Sequence, residues 1–353
     1  SDNVRHWHAS PRSAARVLTH AATLDLDALG SRRALNMPGV SCTVAEQIEA
    51  LRSVAGNDVV KLIKPETVVA ESAVPETVVS ENESRIAHWS EEGQRVSFVS
   101  SFPRSGNTWT RHILADCLIQ NAGLSTSTDL PIHPNRIIPD RYDNRISERD
   151  PAVSTPGLIV KTHDRFDVAL NLLDQRAHQQ MRHLYIYRRP EDCLVSYYHF
   201  HLRYKLLQEK AAKGVDAFVL EQIDDWIQHV ESYVEGVDRY NGCVFFLSYE
   251  QLLADPMACL RPALSFLEVD VSSAALKTAI EHMAFENLRA REEKNPINTQ
   301  EFFFRKGTTG SGSQELQAST LEAISSKAGE VLCKAAALST ADCEACGDAE
   351  RVV

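Results

Sequence analysis

Residues 96–120, VSFVSSFPRSGNTWTRHILADCLIQ, constrain the fold more than any other stretch of the chain. They open on an apolar, β-rich run (Val96, Phe98, Val99) and turn through Pro103 and Gly106. Trp109, Ile113, Leu114 and Leu118 then follow at helical spacing. The pattern predicts strand, tight loop, helix. Such a loop aims backbone N–H groups and the positive end of a helix dipole at one point, where phosphate-like anions bind. Arg104 adds a positive charge, Ser105 and Thr108 add hydroxyl donors, and Gly106 permits close approach of the backbone. An ordinary strand-to-helix turn carrying an Arg fits the same residues, so this stretch alone leaves both open. It is not a Walker loop, because the G-x-x-x-x-G-K-[ST] spacing is absent.

The alternation continues downstream. Apolar runs at 158–160 (LIV), 183–187 (HLYIY) and 243–249 (CVFFLSY) predict three more buried parallel strands. Helical patterns lie at 166–177, 190–207, 215–233 and 249–253. Together they predict an α/β domain, a central and mostly parallel sheet flanked by helices, entered through a P-loop-like strand-loop-helix. In open sheets of this class ligands bind beyond the carboxyl ends of the strands. Those ends carry Lys161-Thr162-His163, then Arg188 and Arg189 with Ser196 further along, then Ser248-Tyr249-Glu250. Later, FFFRKGTTG places Arg305, Lys306 and Gly307 in a Gly/Thr loop. So many cations and hydroxyls in a chain of net charge −11 predict a ligand with two separate anionic groups. Arg104, the loop amides and Lys161 suit one; Arg188, Ser196 and the 305–307 backbone suit the other. Trp109, Tyr249 and Phe285 offer faces on which a base can stack, although Trp109 and Phe285 also fit an apolar core. His163, following a buried strand beside an anion loop, is the candidate general base.

The remainder of the chain says less about chemistry. The acidic balance, with pI near 5.6, argues against nucleic acid and anionic membrane as partners. No run of about 18 apolar residues occurs, and eight scattered Cys predict reduced thiols in a cytoplasmic protein. Cys343-x-x-Cys346 lacks the second pair that a metal site would need. Residues 1–61 predict a helical extension, with helices near 13–29 and 43–56. Residues 62–92 predict an acidic Pro/Val-rich linker, in which PETVVAES recurs ten residues on as PETVVSEN. The α/β domain is expected over 93–330 and a tail over 331–353. Asp140, Arg141, Asp143, Arg145, Glu148, Arg149 and Asp150 fit either a solvated loop or a site for a polar or cationic small molecule.

Five segments, FPRSGNTW, KTH, RRPEDCLVSYYHF, LSYE and FFFRKGTTG, occur in this order across residues 93–312. They resemble the motif set of the cytosolic-type sulfotransferases, which use 3′-phosphoadenosine 5′-phosphosulfate (PAPS). The resemblance implies transfer of a sulfuryl group from PAPS to a hydroxyl or amine of a small molecule, leaving PAP, with no metal required. It implies that the phosphosulfate lies on Arg104, Ser105, Gly106, Asn107, Thr108 and Trp109, and the 3′-phosphate on Arg188, Ser196, Arg305, Lys306 and Gly307. Trp109, Tyr249 and Phe285 would border the adenine. His163 would be the base, Lys161 and Arg104 would stabilise the leaving group, and Phe200 with His163 would line the acceptor pocket. Arg104 stands where the family usually has Lys and Asn107 where it has Thr, and Ala284 replaces a common hydroxyl residue. Arg keeps the charge without readily giving up a proton, so Arg104 is expected to act as a clamp. Ser311-Gly312-Ser313-Gln314 replaces the family's usual continuation towards a dimerisation segment, which leaves the oligomeric state open. Two rivals make different demands. A PAP-binding module without activity predicts loss of His163 or of the 3′-phosphate residues, all of which are present. A phosphoryl transferase would want a Walker Lys and a carboxylate for Mg²⁺.

Overall fold

The computed structural model of the protein describes residues 5–8, 40–43, 76–124, 136–142, 153, 155–173, 175–203, 208–240, 242–294 and 307–347. The chain divides into two compact units, Ser1–Glu71 and Ser72–Val353. In the first, β1 (Arg5–His8) pairs antiparallel with β2 (Val40–Thr43), Arg5 facing Thr43. Thr43, expected to cap a helix, ends a strand instead. The helices expected near 13–29 and over the rest of 43–56 lie outside the described residues.

The second unit begins with α1 (Glu76–Glu91). Of the segment expected as a linker over 62–92, the part over 76–91, with most of the second repeat copy, is a helix. Ile86, fully buried, ties it to the sheet core. The first copy lies outside the described residues. The chain then runs β3 (Val96–Ser101), α2 (Asn107–Asn121), β4 (Leu158–Thr162), α3 (Phe166–Leu170), a 3-10 turn (Gln175–Gln179) and β5 (Arg182–Tyr187). It continues through α4 (Pro190–Arg203), α5 (Gln208–Ala211), α6 (Val215–Arg239) and β6 (Val244–Ser248). The last helices are α7 (Tyr249–Ala254), α8 (Pro256–Phe266), α9 (Ser273–His282), α10 (Phe285–Lys294) and α11 (Ala318–Gly347).

The expected parallel sheet forms in the order β4-β3-β5-β6, with Phe98 level with Val160 on one side and His183 on the other. Every strand is apolar on both faces, so period-2 alternation feeds two cores. One takes Phe98, Val160, Tyr185 and Phe246 against Val219, Ile223, Trp226 and Tyr233 of α6. The other takes Val99, Ile159, Leu184, Ile186 and Leu247 against Ile113, Leu114, Cys117 and Leu118 of α2 and Leu260 and Leu264 of α8. Trp226 and Tyr233 are fully buried, and cutting back a side chain of that size in a core costs about 3–5 kcal/mol.

One helix spans the boundary expected at 330. Helix α11 runs through it, burying Ile324, Ala328, Val331 and Ala335 at helical spacing, while Ser339 bonds Gln251 at 2.8 Å. Its buried stripe is largely small residues, which read as a weak apolar face. The chain leaves β3 to add β4 on one side, then crosses back to add β5 on the other. Outgoing loops therefore diverge between β3 and β5, opening a crevice at their carboxyl ends.

Candidate active site

The crevice is built from the loop between β3 and α2. Arg104 takes φ +70 and Gly106, the N-cap of α2, takes φ +101. Both lie in the left-handed region, and between them the Ser105 amide donates back to Phe102 O at 3.3 Å, closing a tight turn. Gly106 is sterically required as well, since a Cβ there would lie 2.5 Å from the Tyr249 ring. No acidic residue occupies the first turn of α2, so the positive end of its dipole is uncompensated from within. Ser105 is fully buried, its hydroxyl 3.4 Å from Cys193 Sγ, and that thiol donates to Pro103 O at 3.2 Å. The loop is thus fastened to α4. Burial pushes the Cys193 thiol up to about 11, so it stays protonated.

Arg188, at the end of β5, binds the loop from the other side. One of its Nη atoms donates to Arg104 O at 3.3 Å and the other to Thr308 O at 3.2 Å. Its guanidinium lies 4.5 Å over the Tyr249 ring. Arg104 donates from Nε to Ser196 Oγ at 3.3 Å and sits 5.1 Å over Phe200. Trp109 meets Tyr249 edge-on at 6.2 Å and donates to Met283 O at 2.8 Å. Gly307, at φ +62, lies against Phe285 so closely that a Cβ would come within 2.3 Å of the ring. Asn107 is buried, and its amide donates to Val99 O at 2.9 Å and Ser101 Oγ at 3.3 Å, bracing the strand end. Thr108 follows in the first turn of α2, half-buried. The structure therefore gathers Arg104 to Trp109, Arg188, Ser196, Phe200, Tyr249, Phe285 and Gly307 at one end of the sheet. Arg305 and Lys306 lie outside the described residues, as does most of the charged run after Tyr142.

The end of β4 supplies the rest. His163 Nδ1 lies 2.8 Å from Ser101 O. A carbonyl only accepts, so Nδ1 carries the proton and Nε2 keeps its lone pair. Burial, then the Lys161 charge, lower the His163 pKa to about 3, against an upward pull from Asp140 and the Ser101 carbonyl. The ring is half-buried and neutral near pH 7. Lys161 donates to Asp140 Oδ2 at 2.6 Å. Burial pushes Asp140 up, but Lys161, through charge and hydrogen bond, outweighs it and holds the carboxyl below its ordinary range. The backbone joins the same two residues, with Lys161 N donating to Pro139 O at 2.8 Å and Arg141 N to Lys161 O at 2.9 Å. Arg141 in turn pairs with Glu83 of α1 and with Asp164 beside His163, and Asn82 donates to Arg141 O at 2.7 Å. Helix α1, whose composition suits a linker, thus braces the end of β4.

Asp192 and Cys193 are residues of this cluster that sequence reasoning does not single out, while Asp140 and Arg141, read only as part of a charged run, prove to hold Lys161 and Asp164. Asp192 carries a signal, since Arg188, Asp192 and Ser196 recur at a spacing of four. The others owe their place to contacts between segments distant in sequence.

The chain matches the sulfotransferase domain family over residues 94–332. It is 26% identical to human sulfotransferase 1C2 over 227 residues, 60% of this chain and 74% of the relative. It is 27% identical to a rabbit amine sulfotransferase over 229 residues, 60% and 72% of the two chains. Among solved structures it is similar to mouse sulfotransferase SULT7A1 complexed with PAP, with a TM-score of 0.51 and 18% identity, covering 74% of this chain and 93% of that one. At that identity the likeness speaks for the fold.

Proposed function

The chain belongs to the cytosolic-type sulfotransferase family, and from that premise we propose that it moves the sulfuryl group of PAPS to a hydroxyl or amine of a small molecule. The observation that carries this reading is the crevice between β3 and β5. There Arg188 links Arg104 O to Thr308 O above Tyr249, so a cation, a left-handed amide loop and aromatic faces converge. The residues suit a donor with anions at both ends. Arg104, Ser105, Gly106, Asn107, Thr108 and Trp109 would hold the phosphosulfate. Arg188, Ser196 and Gly307, with Arg305 and Lys306, would hold the 3′-phosphate, and Trp109, Tyr249 and Phe285 would border the base.

His163 then acts through Nε2, taking the acceptor's proton as its oxygen or nitrogen attacks sulfur. The bond from sulfur to the bridging oxygen breaks, PAP departs, and Lys161 with Arg104 stabilises the charge gathering on that oxygen. The Ser101 carbonyl holds its tautomer, which leaves the Nε2 lone pair to take the proton. Phe200, under Arg104, lines the acceptor side with His163. The acidic balance favours a polar or cationic acceptor, with neither nucleic acid nor membrane as partner. Buried thiols outside any disulfide at Cys117, Cys193 and Cys243 support a cytoplasmic setting.

The test is to incubate the protein with PAPS labelled in its sulfate and a panel of phenols, alcohols and amines. We expect labelled product, and a fall in kcat of about 10²- to 10⁴-fold in His163→Ala. No transfer to any acceptor, or an intact rate in His163→Ala, would overturn the assignment.

A further inference from the structure

Asp192 lies in the first turn of α4 and is 1% exposed. A carboxylate here is unexpected, because its charge reaches Tyr249, where it opposes ionisation, and it would repel a phosphate brought to Arg188. Its bonds resolve the conflict. Oδ2 accepts from Gly310 N and Oδ1 from Gly312 N, each at 2.6 Å. Charge-assisted bonds to backbone N–H groups are among the stronger ones available. They are not local helix capping, since the partners lie 118 and 120 residues away. They draw the Gly/Thr loop down onto the start of α4, where Thr308 O meets Arg188.

The loop sequence suits this contact and little else. Gly310 has φ +74, and a Cβ on Gly312 would lie 2.2 Å from Glu191 O and 2.8 Å from Asp192 N. Further along, His199 pairs with Glu315 at 2.6 Å and Gln317 N bonds Asp216 at 2.9 Å, so the segment stays on α4 and α6 after the Asp192 contact.

Resting on the donor site proposed above, we propose that Asp192 is a positioning residue for the 3′-phosphate. By holding Gly310 and Gly312 it shapes the 307–312 loop and orients Arg188 from a second side. It thereby sets the preference for a nucleotide that carries that phosphate over one that lacks it.

The test compares calorimetric binding of PAP and of adenosine 5′-monophosphate, which has no 3′-phosphate, to the full chain and to Asp192→Ala and Asp192→Asn. We expect the wild type to prefer PAP. Asp192→Ala should lose about 10- to 100-fold in PAP affinity with 5′-monophosphate affinity unchanged. Asp192→Asn should lose less, because its carbonyl oxygen still accepts one of the two N–H groups. Asn preserves the shape of Asp, so the comparison stands even where the Ala variant does not fold. A parallel loss for both nucleotides, or no change for PAP, would overturn the positioning role. A wild type that binds PAP no better than the 5′-monophosphate would overturn the donor site itself.

Discussion

The two ends of the parallel sheet use the same residue type to opposite effect. At the amino ends of the strands, Arg95 and Arg182 line a cavity of about 450 Å³ together with Gln94, Gln180 and Glu268. Glu268 pairs with both guanidiniums, and Arg95 adds bonds to Pro156 O at 3.0 and 2.8 Å. At the carboxyl ends Arg188 rests on two neutral carbonyls and an aromatic face. A carboxylate partner cancels charge, whereas a carbonyl only orients it. The cavity's arginines are clasped by a carboxylate, whereas Arg188 is held by carbonyls and a ring, as the proposed donor site requires. Lys161, two residues before His163, is intermediate, held by Asp140.

Substitutions at the two ends should separate these roles. Arg188→Ala is expected to weaken PAP binding by about 10- to 100-fold in calorimetry; an unchanged affinity would break the contrast between the ends. The buried histidines give a smaller effect, read as stability against pH. Burial lowers His183 to about 3 and His229 to about 4, from an ordinary 6.5. As pH falls below about 6.5 the unfolded chain takes up these protons first, so stability drops. The slope approaches about 1.4 kcal/mol per pH unit for each histidine between about pH 5.5 and 4.5, and flattens once the folded values are reached. His163 adds in the same direction. Denaturant titrations at stepped pH would show it, and a flat profile would contradict the assignment of neutral, buried rings. Smallest is Arg182→Ala at the amino end, expected to leave PAP affinity unchanged and to cost less than about 1 kcal/mol, as for an exposed pair.

What the sequence reveals divides along the same physical lines. The four sheet strands stand out because strands buried on both faces are unbroken apolar runs. The motif residues at their ends are local, so Arg104 to Trp109, Lys161 to His163 and Arg188 with Ser196 are legible in the sequence itself. Helix α1 is hidden by a composition of Pro, Glu and Ser that suits a linker, and its place is settled by Ile86 in the core and Glu83 on Arg141. Helix α11 outruns the end its sequence suggests, because Ala328 and Ala335 bury little surface each. Asp140 with Lys161, Arg141 with Asp164, and Asp192 with Gly310 and Gly312 are pairings that only the folded chain creates. No local pattern announces them, and each sets the charge or shape of a residue that is legible.

The most direct test of the donor site is thermal unfolding of the full chain in the presence of PAP, PAPS or Mg-ATP, since it requires no knowledge of the acceptor. A ligand at 100 times its Kd stabilises a folded domain by about 2.7 kcal/mol. PAP and PAPS are predicted to raise the Tm by a few degrees, with Mg-ATP having no comparable effect. Stabilisation by Mg-ATP alone would contradict the account and assign the Arg104 loop to phosphoryl chemistry.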